Sequence, residues 1–167
     1  NEFDAPAPES LYGKSKLAGE EFVRTLCHRY LIVRSAWVYG IGRDFVSTVL
    51  NAAADPTCPW LAVPTDRFAS PTSADDLTAA VEQLIDHDTL GIYHIVCQGR
   101  CSRYDFAQAI LKAAHMEDKL ELHPIRAADA GSTPSYTVLD NLMLRLDNLP
   151  QPRPWKEALN EYINSLQ

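Results

Sequence analysis

The chain has 167 residues, 46% of them hydrophobic and 22% charged, which is ordinary globular composition and enough for one domain with a sizeable core. Fifteen basic against 22 acidic residues leave a formal charge of -7, which argues against a nucleic-acid or anionic-membrane surface, a small local basic pocket aside. Apolar runs such as Leu31 to Val33 are too short to span a bilayer, and the opening residues lack the basic and apolar regions of a signal peptide.

Residues 1–11, with Pro6, Pro8 and acidic neighbours, read as an extended loop. A helix is expected from Leu11 to Tyr30, because Ala18, Phe22, Leu26 and Tyr30 recur every fourth residue. Leu31 to Tyr39 reads as a strand whose unbroken apolar start suits a parallel sheet buried on both faces, and Gly40 and Gly42 end it. A second helix follows from Asp44 to Ala54, stopped by Pro56 and Pro59. Leu61 to Val63 is a short strand and 64–72 a loop. Leu77, Ala80, Val81, Leu84 and Ile85 mark a third helix, with Ser73 and Asp76 spaced as a capping box. Gly91 to Val96 is a strand, Ser102 caps a fourth helix, Leu120 to Leu122 is a strand, and 126–136 is a polar loop. The last helix has Pro154 in its first turn and buries Trp155, Ala158, Leu159, Tyr162, Ile163 and Leu166. Strands alternate with helices, so the class is α/β.

Cysteines at 27, 58, 97 and 101 form no Cys-x-x-Cys pair, and no zinc-type His spacing accompanies them. Free thiols in a reducing cytosol are the expectation, with half a metal site at Cys97 and Cys101 as the alternative. No metal and a cytoplasmic location are expected.

Tyr12 and Lys16 stand four residues apart in Tyr-Gly-Lys-Ser-Lys-Leu-Ala-Gly-Glu, on one face of the first predicted helix. An ammonium beside a phenol favours the phenolate and makes a proton-transfer pair. Alone the spacing is weak. Its context is a preceding proline, an amphipathic helix and a strand ending Arg34-Ser-Ala-Trp-Val-Tyr-Gly40. With it, the run resembles the extended short-chain dehydrogenase/reductase superfamily. Asp44-Phe-Val-Ser-Thr-Val-Leu50, Ala69-Ser-Pro-Thr-Ser-Ala-Asp-Asp-Leu77, Gly91-Ile-Tyr-His-Ile95, Cys101-Ser-Arg-Tyr-Asp-Phe-Ala107 and Tyr136-Thr-Val-Leu-Asp-Asn141 follow in order. Together they are similar to the dTDP-4-dehydrorhamnose reductase family, from about residue 2 to 163.

The resemblance implies NADPH- or NADH-dependent reduction of the C4 ketone of a dTDP-sugar. Tyr12 would be the general acid, and Lys16 would stabilise the tyrosinate and bind the nicotinamide ribose. Ser35 and Ala36 would lie near the nicotinamide, so Tyr12, Lys16, Ser35 and Ala36 are the cofactor-binding set. Trp37, Ser70, Thr72 and Tyr136 would border the nucleotide-sugar. The alternatives stay open: a core aromatic for Trp37, capping for Thr72, packing for Tyr136. His94 reads as a core histidine, and Arg67 as a solvent-exposed side chain with a phosphate as the alternative partner. A homodimer is admitted, and no nucleic-acid or membrane partner is expected.

Asp44, Arg67, Ala69, Ser73 and Thr133 depart from the family pattern, where asparagine, glutamine, glycine, tyrosine and arginine are usual. A carboxylate gained and a guanidinium lost near a diphosphate both work against anion binding. The glycines at 13, 19, 40, 42, 91, 99 and 131 make no Gly-rich strand-turn-helix for a pyrophosphate. That turn is expected ahead of residue 1, which makes the chain the C-terminal portion of an extended reductase, with a truncated Rossmann sheet and a small α/β substrate-binding lobe. Residues 1–42 would close the NAD(P)-binding lobe and 43–167 would form mainly the substrate-binding lobe, with 73–96 returning to the first. Such a portion would be inactive by itself. Two other readings are a regulatory module, like the methionine adenosyltransferase beta subunit, and another nucleotide-sugar reductase or epimerase.

Overall fold

The computed structural model describes residues 1–131 and 135–166. Helix α1 (Leu11–Leu26) leads into β1 (Leu31–Arg34) and β2 (Val38–Tyr39). Then come α2 (Phe45–Ala54), β3 (Trp60–Pro64), β4 (Arg67–Ala69), β5 (Thr72–Ser73), α3 (Ala74–Asp86) and β6 (Gly91–His94). The chain continues through β7 (Cys101–Ser102), α4 (Arg103–Ala113), β8 (Glu121–Ile125), a 3-10 turn (Ala127–Ala130), β9 (Ser135–Thr137), α5 (Leu142–Leu146) and α6 (Trp155–Ser165). The α/β class expected from the sequence is the architecture observed.

Strand pairing is mostly parallel. β1 pairs with β6 from Leu31↔Gly91 to Arg34↔His94, β2 with β5, and β3 with β8. β4 lies between β7, antiparallel, and β9, parallel. Two main cores result. The larger gathers α2, α4, α6, β3 and β8 around Val46, Val49, Val63, Phe106, Ile110, Leu159 and Ile163. The smaller joins α3, β6 and α5 through Ala80, Leu84, Tyr93, Ile95 and Leu144, with Leu31 and Val33 of β1 against it.

Several elements differ from the sequence reading. The first helix stops at Leu26, where Cys27 turns extended, rather than at Tyr30. The expected strand from Leu31 to Tyr39 is two strands, because Trp37 takes a left-handed φ of 42° and swings β2 out of the β1 sheet toward β5. The expected loop 64–72 contains β4 and reaches β5, and the polar loop 126–136 contains the 3-10 turn and the start of β9. Ser73 caps α3 by accepting from the Asp75 and Asp76 N–H groups. Asp76 does not reach back to complete the box, since its carboxylate pairs with Arg153 Nε at 3.1 Å. Gly40 is where α3 approaches the β2 turn, since a Cβ there would lie 2.8 Å from the Ala74 Cβ.

Candidate active site

Ser10 caps α1 by accepting from Gly13 N–H at 3.0 Å, and Gly13 lets the first turn sit on Pro8, whose Cβ would be 2.9 Å from an added Cβ. This places Tyr12 and Lys16 together, with Lys16 Nζ 5.4 Å from the Tyr12 ring centroid. Tyr12 is 72% exposed, and no residue of α1 is buried. The pair is presented outward.

Ser35, Ala36 and Trp37 follow the end of β1. Ala36 is buried, and the buried Ser35 Oγ has no hydrogen-bond partner among the described residues. A bulky residue in the left-handed region is strained, so Trp37 is held there by its surroundings. Its carbonyl accepts from Thr72 N–H at 3.2 Å, and its ring stacks on Phe106 with centroids 6.3 Å apart. The Arg103 guanidinium lies 3.8 Å from the Trp37 ring centroid and 4.3 Å from that of Phe45.

The sequence reading assigned Arg103 no role, although it stands in one of the matching blocks. No carboxylate holds it among the described residues. Asp105, two residues on, is spent on the N-cap, accepting from Ser102 N–H at 3.0 Å and from its hydroxyl at 2.7 Å. Burial, with the positive charge of Arg67, pushes the Arg103 pKa down to about 10. Arg67 is half-buried in β4 rather than solvent-exposed, and its Nε donates to Ser135 Oγ at 3.3 Å. Arg100 Nη1 donates to the Tyr136 hydroxyl at 2.7 Å, while the Tyr136 ring, 62% exposed, leans on Phe68. β4, the turn before β7, and α4 thus bring guanidiniums and aromatic faces to one region, a combination suited to phosphate oxygens and a flat base or sugar face.

Ser70 and Thr72 are not presented in this way. Both are buried; Ser70 Oγ donates to Gly99 carbonyl at 2.7 Å and Thr72 Oγ1 to Ser70 carbonyl at 3.1 Å. These hydroxyls shape the turn between β4 and β5. Nor does Thr72 cap α3, since Ser73 does. His94 is buried as expected of a core histidine. Asp44 is the N-cap of α2, accepting from Ser47 N–H at 2.7 Å and Gly40 N–H at 2.8 Å. Its carboxylate is spent on the turn and the helix N-terminus, which answers the half of the sequence objection that concerns the gained carboxylate. Thr133 lies outside the described residues. All four cysteines are free; burial pushes the Cys97 thiol up to about 11 and Cys101 up to about 12. Among the described residues no three His, Cys, Asp or Glu side chains cluster as a metal site, and no helix is long and apolar enough to cross a membrane.

The architecture, helices alternating with short and mostly parallel sheets, is that of the C-terminal part of an extended short-chain dehydrogenase/reductase. Within that class, the chain belongs to the RmlD substrate binding domain family, which matches residues 1–167. Among curated relatives, the spore coat polysaccharide biosynthesis protein SpsK of Bacillus subtilis is 38% identical over 97% of this chain and 56% of its own. A dTDP-4-dehydrorhamnose reductase crystal structure from Clostridium acetobutylicum is 41% identical with a TM-score of 0.93, covering 99% of this chain and 59% of that one. The Bacillus anthracis enzyme of the same name, solved in complex with NADP, is 35% identical with a TM-score of 0.93 over the same shares. The chain therefore spans somewhat more than half the length of these relatives.

Proposed function

We propose that the chain supplies the Tyr-Lys helix and the nucleotide-sugar face of an NADPH-dependent reductase that converts dTDP-4-dehydro-L-rhamnose to dTDP-L-rhamnose. The observation that carries this reading is the exposed Tyr12–Lys16 pair, side by side at the start of α1. Relatives named dTDP-4-dehydrorhamnose reductase, one holding NADP, support it. The orphaned Ser35 hydroxyl fits an amide-bearing cofactor such as a nicotinamide, which gives a buried oxygen a partner. NADPH, when bound, supplies the hydride that reduces C4.

The chain's own residues do the rest. The Tyr12 phenol donates a proton to the C4 oxygen as that carbon is reduced, so the ketone leaves as an alcohol. Lys16 stabilises the tyrosinate that remains and holds the cofactor ribose. Ala36, beside Ser35, would help hold the nicotinamide. Trp37 provides a flat wall for the deoxysugar. Tyr136 and Arg103, with Arg67 and Arg100 near them, border the dTDP diphosphate. Ser70 and Thr72 act on this face through the backbone turn they brace.

The domain division follows the same reading. Residues 1–42 close the cofactor lobe and 43–167 form mainly the substrate lobe. The pairing of β1 with β6 supports the return of 73–96 to the first. The pyrophosphate would be held outside these residues, so the chain alone is expected not to turn over. We place the reaction in the cytoplasm, in a protein that can form a homodimer.

The test is Tyr12→Phe in the full-length protein that carries this chain, assayed by NADPH consumption with dTDP-4-dehydrorhamnose. A fall in kcat of about 10²- to 10⁴-fold with an unchanged fold is expected. Near-normal turnover would refute the role of Tyr12.

A further inference from the structure

Glu2 sits in the loop ahead of α1, yet its side chain is only 2% exposed. One carboxylate oxygen accepts from the backbone N–H of His94 at 3.0 Å and of Met143 at 3.2 Å. The other faces His94 Nδ1 at 4.0 Å, neither atom has a hydrogen-bond partner by geometry among the described residues, and the Asp140 backbone also bears on the ring. The far nitrogen of the same ring, Nε2, lies 3.5 Å from Arg34 Nη1. A guanidinium only donates, so Nε2 accepts, and the proton of the neutral ring belongs on Nδ1, facing Glu2. Arg34 then closes on Glu20 of α1 through Nε at 2.8 Å and Nη2 at 2.5 Å.

Carboxylate, imidazole, guanidinium and carboxylate thus run from the loop before α1, through the facing ends of β6 and β1, back to α1. Among the described residues, the Glu20–Arg34 pair is the only side-chain hydrogen bond or ion pair from α1 to another element. Within these residues α1 buries no side chain, so the Glu20–Arg34 pair is the contact through which the rest of the chain ties its rotation. Glu20 follows Lys16 by one turn and Tyr12 by two, on the same stripe of the helix. Arg34 immediately precedes Ser35. A two-pronged pair between these residues sets where the stripe stands relative to the end of β1.

We propose that Glu2, His94, Arg34 and Glu20 form a positioning relay that fixes Tyr12 and Lys16 against the end of β1. The proposal rests on the role given above to Tyr12 and Lys16, but its test needs no substrate. Glu2 and His94 orient the guanidinium, and Glu20 is the link the helix feels.

Nitrogen-15 spectra of the 167-residue chain identify the protonated nitrogen of His94, and amide hydrogen exchange reports on α1. A neutral Nδ1–H ring is expected in the wild-type chain. Glu2→Gln and Arg34→Met should each redistribute that proton. Glu20→Gln should speed exchange in α1 about tenfold and leave α4 and α6 unchanged. Arg34→Lys, which keeps the charge but not the fork, should recover only part of the protection lost in Arg34→Met. Glu21→Gln, whose Arg24 partner lies outside the relay, should change α1 exchange less than about twofold. An Nε2–H ring in the wild-type chain, or α1 exchange in Glu20→Gln equal to wild type, would overturn the proposal. Either result can occur while Tyr12→Phe still abolishes turnover, and turnover can survive Tyr12→Phe with the relay intact.

Discussion

Helices α1 and α4 are both amphipathic, and they are used in opposite ways. α4 buries Phe106, Ala107, Ile110 and Leu111 in the larger core. α1 carries Leu11, Phe22 and Leu26 at comparable spacing and leaves all three exposed. An apolar stripe therefore states that a helix face wants cover, and not that a given stretch of chain supplies it. The reactive pair stands on the uncovered helix. The core that would tolerate no reactive exposure stands on the covered one.

The largest stability effect should fall on the covered side. Phe106 is almost fully buried and touches the rings of Trp37, Tyr39, Phe45 and Trp155. Phe106→Ala should cost about 3–5 kcal/mol in urea unfolding of the chain. It should also release Trp37 from its strained turn. A loss under about 1 kcal/mol would show that the two helices are less different than their burial implies.

Next in size is Arg103, which belongs to both sides, since it rises from the covered helix toward the proposed nucleotide face. Arg103→Met keeps an apolar stem over Trp37 and removes a half-buried charge that has no carboxylate partner among the described residues. Binding of dTDP to the full-length protein, read by calorimetry, should weaken about 10- to 100-fold, as expected for a lost charge-assisted bond. Stability should hold or rise, because the desolvated cation is gone. Unchanged dTDP affinity would remove Arg103 from the site.

The sequence made the covered side easy to read. α2, α3, α4 and α6 are each marked by apolar period, and α3 and α4 also by caps at Ser73 and Ser102, because those signals are local. The elements it missed depend on distant partners. β9 forms by pairing with β4 across 68 residues, Arg67 opposite Ser135, and β4 by pairing with both β9 and β7. The break at Trp37 needs the Thr72 and Arg103 contacts that hold a tryptophan in a left-handed turn. Tyr12 and Lys16 could be found because one helix turn sets them side by side. Arg103 could not, since its aromatic partners come from β1's end and from α2, and nothing in a one-dimensional reading brings them together. Ser70 and Thr72 illustrate the converse: their motif was visible, but whether a hydroxyl faces a ligand or its own turn is decided by the fold.

A smaller effect tests the seam between the helices' two settings. Burial holds the His94 pKa below its usual value, with Glu2 and the Asp140 backbone opposing it and Arg34 acting in the same direction as burial. A depressed histidine pKa means that the folded state resists protonation. Stability from the neutral ring is then fully present above the unfolded pKa near ~6.5 and is lost as pH falls below it toward the folded value. The unfolding free energy from urea titration should decline across that window with a slope no steeper than about 1.4 kcal/mol per pH unit from this group, and the midpoint with it. In His94→Gln that part of the decline should vanish. A midpoint that rises on acidification would reverse the sign assigned to His94.

The smallest expected effect is the most direct test of the comparison. Phe22 lies on α1, 67% exposed, and makes no core contact. Phe22→Ser removes as large an aromatic side chain as Phe106→Ala does, yet the chain should lose no more than about 0.5 kcal/mol in the same urea titration. What should change is association: an uncovered apolar stripe favours contact between copies, so sedimentation of the wild-type chain should show concentration-dependent self-association that Phe22→Ser weakens. If Phe22→Ser destabilised the chain as much as Phe106→Ala, α1 would be packed in solution, and the outward presentation of Tyr12 and Lys16 would fail with it. If stability held and association fell, the stripe would be a face awaiting a partner, with the reactive pair one to three turns away on the same helix.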